Sequence, residues 1–297
     1  MALAWERDGR DWPQREASRF VQAGGLRWHV QQMGEQGAKP VALLIHGTGA
    51  STHSWRGLMP LLAREFCVVA MDLPGHAFTD TPAAAAGLSL PGMANAVAAL
   101  AGVLGLEVAL VVGHSAGAAI AARAVLDGAL APSALVAING AFLPLAGLPG
   151  LLFPPVARLM AATPLASQLF ARRSWDAAAV ERLVGGTGSR LDAHGLALYG
   201  QLVRDPRHAA GALGMMARWD LRPLAHDLAR LQTPLTLIVG ANDRAVPPRD
   251  ARRVREIVPA STSCSIDTVR GAGHLVHEER PAEVSAVLFA AARRALG

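Results

Sequence analysis

The pentapeptide Gly113-His114-Ser115-Ala116-Gly117 stands between an apolar run that reads as a strand, Val108–Val112, and a helical stretch starting near Ala116. A serine on so sharp a strand–turn–helix junction is presented for nucleophilic attack, and its neighbours two residues away must be small enough to avoid collision. Gly113 and Gly117 meet that need, and Ala116, Ala118 and Ala119 let the helix lie close to the sheet. Glycine-rich strand–helix turns also bind phosphates, so the pentapeptide acquires its meaning from partners elsewhere in the chain. A serine alcohol needs a base to take its proton and an acid to orient that base.

With a serine on such a turn, the expected chain order is nucleophile, acid, histidine. Asp243 closes Gly240-Ala241-Asn242-Asp243, just past the strand-like run Leu235–Val239. His274 closes Gly271-Ala272-Gly273-His274, past the run near Ser263–Val269. The rival acid position, at the end of Ala134–Ile138, holds Asn139, which carries no carboxylate, and Asp267 lies within a strand run. Ser115, Asp243 and His274 are therefore the expected catalytic residues. His277 competes for the base role but stands before Glu278-Glu279, where it is expected to cap or pair. His46 and His114 adjoin key glycines and read as packing or local donors. The oxyanion of a tetrahedral intermediate needs backbone N–H donors, expected from Ala116 and from Thr48 in His46-Gly47-Thr48-Gly49. Asp72-Leu73-Pro74-Gly75-His76 reads as a structural turn.

The elements that must position these groups alternate. Arg19–Val21 and Leu26–Gln31 are short strand runs joined by Gly24-Gly25, a hairpin signal. Val41–Ile45 and Phe66–Met71 read as strands, and Ser54–Arg64, Ser89–Leu104 and Ala116–Leu126 as helices. Strands alternating with helices imply an α/β fold with a mostly parallel sheet covered on both faces. From Ala141 to about Arg230 no strong strand run occurs. Ser174 is the expected N-cap of a helix over Trp175–Leu183, and Asp205-Pro206 opens the next. The alternation then resumes, with helices over Pro248–Ile257 and Pro281–Ala295. The expected organisation is a core of residues 1–140 and 231–297 with a helical cap, 141–230, inserted after the sixth strand at the carboxyl ends of the strands, where open α/β sheets bind ligands.

Composition sets outer bounds. Of 297 residues, 52% are hydrophobic and 17% charged, enough for a large core. Cys67 and Cys264 sit in strand runs and offer neither a disulfide framework nor metal-ligand spacing. They read as buried inert thiols in a reducing compartment. Glu6, Arg7 and Asp8 stand where a signal peptide needs an apolar run. No charge occurs between Asp127 and Arg158, but five prolines interrupt that stretch, so it does not read as a membrane span. The expected location is cytoplasmic. Net charge is +5, carried almost wholly by scattered arginines, without the clustered pattern of a nucleic-acid surface.

Several longer stretches resemble the BchO-type α/β-hydrolases, a family named as a magnesium-chelatase accessory of bacteriochlorophyll biosynthesis. They are Gly25-Leu26-Arg27-Trp28-His29-Val30, His46-Gly47-Thr48-Gly49-Ala50-Ser51-Thr52-His53-Ser54-Trp55, the Ser115 turn, and Gly273-His274-Leu275-Val276-His277-Glu278-Glu279-Arg280-Pro281. The similarity runs from about Trp12 to the C-terminus. It implies the α/β-hydrolase fold and triad roles for Ser115, Asp243 and His274, a mechanism that needs no metal or organic cofactor. It also implies a link to magnesium-tetrapyrrole chemistry, including a magnesium-chelatase contact. One departure is Ala77, where the superfamily turn usually has a second glycine after His76. Two functions follow. One is a serine hydrolase acting on an ester or similar acyl bond of a bulky apolar substrate. The other is a tetrapyrrole-binding accessory protein with a vestigial triad. His114, Phe142, Phe153, Met215 and Trp219 are the expected substrate contacts. Arg172 and Arg173 are placed to meet a propionate of a porphyrin or chlorin, or an anionic headgroup during weak peripheral association with a membrane.

Overall fold

The computed structural model describes residues 3–144 and 176–296. Eight strands form one sheet: β1 (Ser18–Ala23), β2 (Leu26–Met33), β3 (Val41–Ile45), β4 (Cys67–Met71), β5 (Val108–His114), β6 (Ala134–Ile138), β7 (Leu235–Gly240) and β8 (Cys264–Val269). Their spatial order is β1-β2-β4-β3-β5-β6-β7-β8. The β1–β2 hairpin turns at Gly24 and Gly25, both at positive φ, and β2 pairs antiparallel with β4. All remaining pairs are parallel, so β3, β5, β6, β7 and β8 bring their carboxyl ends to one edge.

The central strands are apolar at every position because both faces are covered. Side chains alternate between two cores. Leu43, Ile45, Val69, Met71 and Val111 enter one of them. There they meet α1 (Leu90–Val103) and α2 (Ala116–Leu126), together with residues of the helices that flank β7. Ala42, Leu44, Val68, Ala70, Val112 and Val136 enter the other, against Trp55, Leu58, Met59 and the C-terminal helix. The helix expected over Ser54–Arg64 is instead a 3-10 turn, Thr52–Trp55, and one α-turn, Met59–Leu62. Gly57 lies in between, and Pro60 stands in the first turn of the second, where a proline starts a helix but does not continue one from upstream.

Between β6 and β7 the described residues hold four helices and no strand: α3 (Ala177–Gly186), α4 (Ala193–Val203), α5 (Pro206–Ala217) and α6 (Arg222–Asp227). Helices α3, α4 and α5 each start on an aspartate that accepts a backbone N–H: Asp176 from Ala179, Asp192 from Gly195, Asp205 from Arg207. The first corrects the expected Ser174 cap. Asp176 stands one residue before the helix, from where its side chain reaches the Ala179 N–H; Ser174 and Trp175 lie outside the described residues. The fold closes with α7 (Arg249–Ile257) after β7 and α8 (Pro281–Leu296) after β8. No helix among the described residues is long and apolar enough to cross a membrane. Cys67 is buried and Cys264 only partly so.

The turn glycines are fixed by sterics. A Cβ on Gly117 would stand 2.0 Å from the Ile45 carbonyl oxygen, and one on Gly113 would stand 2.4 Å from the Ala118 backbone. On Gly102, in α1, it would meet nothing within 4 Å. Gly117→Ala is therefore expected to destabilise by about 3 kcal/mol through overpacking, and Gly102→Ala to stabilise by about 0.5–1 kcal/mol through chain entropy. Urea denaturation of the two variants checks this; equal effects would contradict the packing described.

Candidate active site

Four strand ends deliver the chemistry. Strand β5 runs into Ser115, whose backbone sits at φ 52°, ψ −117° as it enters α2. A side chain at positive φ costs about 1–3 kcal/mol and persists only where surrounding structure enforces it. Here the Ser115 N–H donates to Ile138 O at 3.0 Å, while Ser115 O accepts from Ala118 and Ala141 N–H, each at 3.1 Å. Gly47, on the loop after β3, lies against this turn: a Cβ there would be 3.0 Å from Ser115 Cβ.

Asp243 and His274 come together. His274 Nδ1 lies 2.8 Å from Asp243 Oδ2, and both residues are buried. Asp243 Oδ1 accepts from Ala245 and Val246 N–H at 2.7 and 2.9 Å, so one carboxylate oxygen is saturated by backbone and the other is left to the imidazole. That bond puts the proton on Nδ1 and leaves Nε2 as the basic nitrogen. Ser115 Oγ and His274 Nε2 make no hydrogen bond among the described residues. Such contacts are often long without substrate and tighten with it. The two residues are instead joined through His114, whose Nε2 donates to His274 O at 2.9 Å and whose ring lies 4.7 Å from that of His274.

Ala116 follows the serine in the chain, and Thr48 follows Gly47 on the loop that lies against the serine turn. Among the described residues neither N–H has an acceptor, and the Ala116 N–H also stands at the positive end of α2. Thr48 Oγ1 lies 3.5 Å from Met215 Sδ, so α5 of the cap rests on this loop. His46 holds the same loop from beneath: its Nδ1 donates to Gly47 O at 2.7 Å and its Nε2 accepts the Leu73 N–H at 2.9 Å.

The expected substrate contacts are more deeply placed than the sequence suggests. Met215 and Phe142 are buried in the main core, and Trp219 packs half-buried against it. His114 is packed between His274 and His277, behind the site. Phe153 lies outside the described residues, as do Arg172 and Arg173. His277 neither caps nor pairs. It is buried against Trp55 and His114 with both ring nitrogens unpartnered. The acids beside it turn elsewhere: Glu279 accepts Gly273 and Arg190 N–H, and Glu278 joins Arg56 and the Tyr199 hydroxyl.

Three features escape sequence reading. His208, in α5, accepts the Ala77 N–H on Nδ1 at 3.0 Å and donates from Nε2 to Gly49 O at 3.2 Å. It thereby ties α5 to the loop after β3 and to the turn where Ala77 takes φ 41° in place of glycine. Gly188 and Ser189, between α3 and α4, touch Asn242, Gly273 and Leu275. Asn139 spans three strand ends. Only Asn139 leaves a signal, a short polar residue where a strand stops.

Residues 42–287 match the family model described as Alpha/beta hydrolase family. The chain is also 38% identical over 268 residues to the magnesium-chelatase 30 kDa subunit of Rhodobacter capsulatus, spanning 90% of this chain and 92% of that one. The chain is a BchO-type member of the α/β-hydrolase family. Among solved structures, an α/β-hydrolase fold protein from Burkholderia ambifaria superposes on this chain with TM-score 0.74 at 25% identity, covering 92% of this chain and 97% of the other. A thermophilic esterase from Thermogutta terrifontis gives TM-score 0.74 at 20% identity, over 94% and 98% of the two chains, and so shares the fold.

Buried histidines give this α/β-hydrolase a pH signature. Burial pushes His46, His76 and His277 down to about 3 and His208 to about 4, with neighbouring positive groups adding to it. Burial drives His53 and His114 well below the ordinary histidine value too. Below the unfolded value of about 6.5 the unfolded chain takes up protons that the folded one refuses, so stability falls as pH drops from about 7 toward 4. Each histidine contributes on the order of 1–2 kcal/mol between pH 7 and 5. Glu278 opposes this, because burial raises it to about 7, and the folded state binds its proton first. Six groups outweigh one. The urea midpoint is expected to fall steeply between pH 7 and 5; a midpoint constant over that range would contradict the buried neutral cluster.

Proposed function

We propose that the protein is a serine hydrolase cleaving an ester or similar acyl bond of a bulky apolar substrate, and that it serves magnesium-tetrapyrrole metabolism. The observations that support this reading are the Ser115 turn at φ 52° and, on the neighbouring strand ends, a histidine paired with an aspartate whose other oxygen is held by backbone N–H groups. A binding protein gains nothing from a strained serine, whereas a nucleophile gains access and freedom from competing hydrogen bonds.

In this mechanism Ser115 Oγ attacks the acyl carbon while His274 Nε2 takes the hydroxyl proton. Asp243 holds the imidazolium in place. The carbonyl oxygen becomes an oxyanion and accepts the N–H groups of Thr48 and Ala116, preorganised donors worth roughly 2.7–4 kcal/mol each where one has been removed elsewhere. The intermediate collapses, the alcohol leaves with the proton held by His274, and water repeats the sequence on the acyl-enzyme to release the acid.

The link to tetrapyrroles rests on the relative named as a magnesium-chelatase subunit, aligned over 90% of the chain. That alignment also favours a second reading, a tetrapyrrole-binding accessory protein that contacts the chelatase without turnover. The two share an apolar ligand beneath the cap, a porphyrin or chlorin. In either reading the protein is cytoplasmic, and its charge of +5 supports weak adsorption to anionic membranes.

Ser115→Ala is expected to lower kcat/KM for small aryl esters by at least about 10⁴, with stability changed by less than about 1 kcal/mol. Unchanged turnover by the purified variant would remove Ser115 from the mechanism. His274→Gln is expected to lower kcat/KM by a factor similar to that of Ser115→Ala, because no base is then left to take the serine proton. Turnover retained in His274→Gln argues against His274 as base. Protoporphyrin and its magnesium form are expected to quench intrinsic fluorescence with a Kd below about 100 μM, near −5.5 kcal/mol. Turnover without such binding leaves a hydrolase of other substrates; binding without turnover supports the accessory reading.

A further inference from the structure

We propose that Asn139 is a positioning residue that sets the geometry of the Asp243–His274 pair by clamping the ends of β6 and β7 to the histidine loop. The inference rests on the hydrolase reading for its catalytic consequence but not for its geometric one. Asn139 is buried at the carboxyl end of β6, at φ 45°. Its N–H continues the ladder to Ile138's neighbour strand, donating to Ile238 O at 2.8 Å. All three remaining side-chain bonds then go to the site. Nδ2 donates to Gly273 O at 3.0 Å and His274 O at 2.7 Å, and Oδ1 accepts the Gly240 N–H at 2.8 Å.

The connectivity gives these bonds their consequence. Gly240 opens the loop that ends on Asp243, and Gly273 and His274 are the base and its neighbour. One amide thus fixes the separation of the two loops whose side chains must meet at 2.8 Å. The His274 carbonyl receives a second donor from His114 Nε2, the residue preceding the nucleophile. With its carbonyl held from two sides, the His274 backbone has no rotation left that would carry the imidazole away from Asp243. The backbone at Gly240 is so close to this loop that a Cβ would stand 2.1 Å from Gly273 O. A side chain with two donors and one acceptor in a plane fits this site; aspartate does not. Its ionised carboxylate would face two carbonyl oxygens with no hydrogen to offer, within the same buried region as Asp243.

Asn139→Gly keeps the positive φ without strain and deletes only the amide. It is expected to lower kcat for an aryl ester roughly 10- to 100-fold, as misplacement of about 1 Å does, with KM changed less than about threefold. Asn139→Asp is expected to be most impaired at high pH and to recover partly as its carboxyl protonates and can donate. Its kcat/KM profile then gains a falling alkaline limb that the wild type lacks. Val136→Ala, a buried change on the same strand, serves as the comparison: it lowers the melting temperature but leaves the profile and kcat in place. The Nδ1 proton of His274, seen by NMR downfield and assigned by its loss in His274→Gln, reads the clamp without turnover. In Asn139→Gly it should broaden or vanish at a pH where Val136→Ala retains it. Its persistence, with kcat unchanged, overturns the proposal. Inactive wild type with an Asn139-dependent proton signal would sink the hydrolase reading and leave the clamp standing.

Discussion

A serine at φ 52° between a strand and a helix can exist only if the residues two before and two after it lack side chains and the neighbouring backbones close in. That constraint radiates outward. Gly117 lets α2 lie on the end of β3, with the Ile45 carbonyl where a Cβ would be. Gly47 lets the loop after β3 run along the serine turn, where a Cβ would stand 3.0 Å from Ser115 Cβ. The alanines along α2 keep the helix low on the sheet, in the core shared by Val111, Leu43 and Ile45. The strain is held by hydrogen bonds from β6 and by burial on both faces of the sheet, so sheet packing and nucleophile geometry are one problem.

The same economy of side chains joins the helices after β6 to the core, and the core loops to one another. Gly188, Gly211, Gly240 and Gly273 each bring backbone against backbone, at points where a Cβ would stand between 1.9 and 2.3 Å from another chain segment. Gly211 seats α5 on the Gly75 turn, and Gly188 seats the α3–α4 loop on the histidine loop. Polar struts fix the register of these contacts. Ser189 Oγ accepts the Leu275 N–H at 2.8 Å, and Glu279 accepts from both Gly273 and Arg190. His208 reaches Gly49 and Ala77. Beside them Arg56, Glu278 and Tyr199 form a buried network, in which loss of one partner leaves an uncompensated group and costs more than the pair itself contributes. The helices between β6 and β7 are therefore part of the scaffold that holds the His274 loop and the loop after β3.

How much of this was legible in the sequence depends on what kind of force sets each feature. Periodicity and punctuation carried the sheet: Val41–Ile45, Ala134–Ile138 and Ala116–Leu126 appear with the expected bounds. Asp205-Pro206 opens α5 as expected. Short apolar stretches with Gly57 and Pro60 were harder, because one turn of helix leaves too little pattern to read. Chain order and strand ends brought Asp243 and His274 together on paper, and the structure pairs them. What the sequence hid is long-range and polar. Nothing near His277 tells that its acidic neighbours turn to Arg56 and Arg190. Nothing in α5 marks His208 as a strut. Asn139 was visible only as a missing carboxylate, yet three hydrogen bonds make it the meeting point of β6, β7 and the histidine loop.

The central claim is that Ser115 is an activated nucleophile, and covalent labelling tests it without knowledge of the substrate. A fluorophosphonate reacts only where a base draws the proton from serine and donors receive the developing negative oxygen. Intact mass followed by peptide mapping should show one adduct per chain, on the peptide carrying Ser115, with labelling suppressed in His274→Gln. No adduct on the folded wild-type protein, or an adduct on another residue that persists in His274→Gln, would contradict the account.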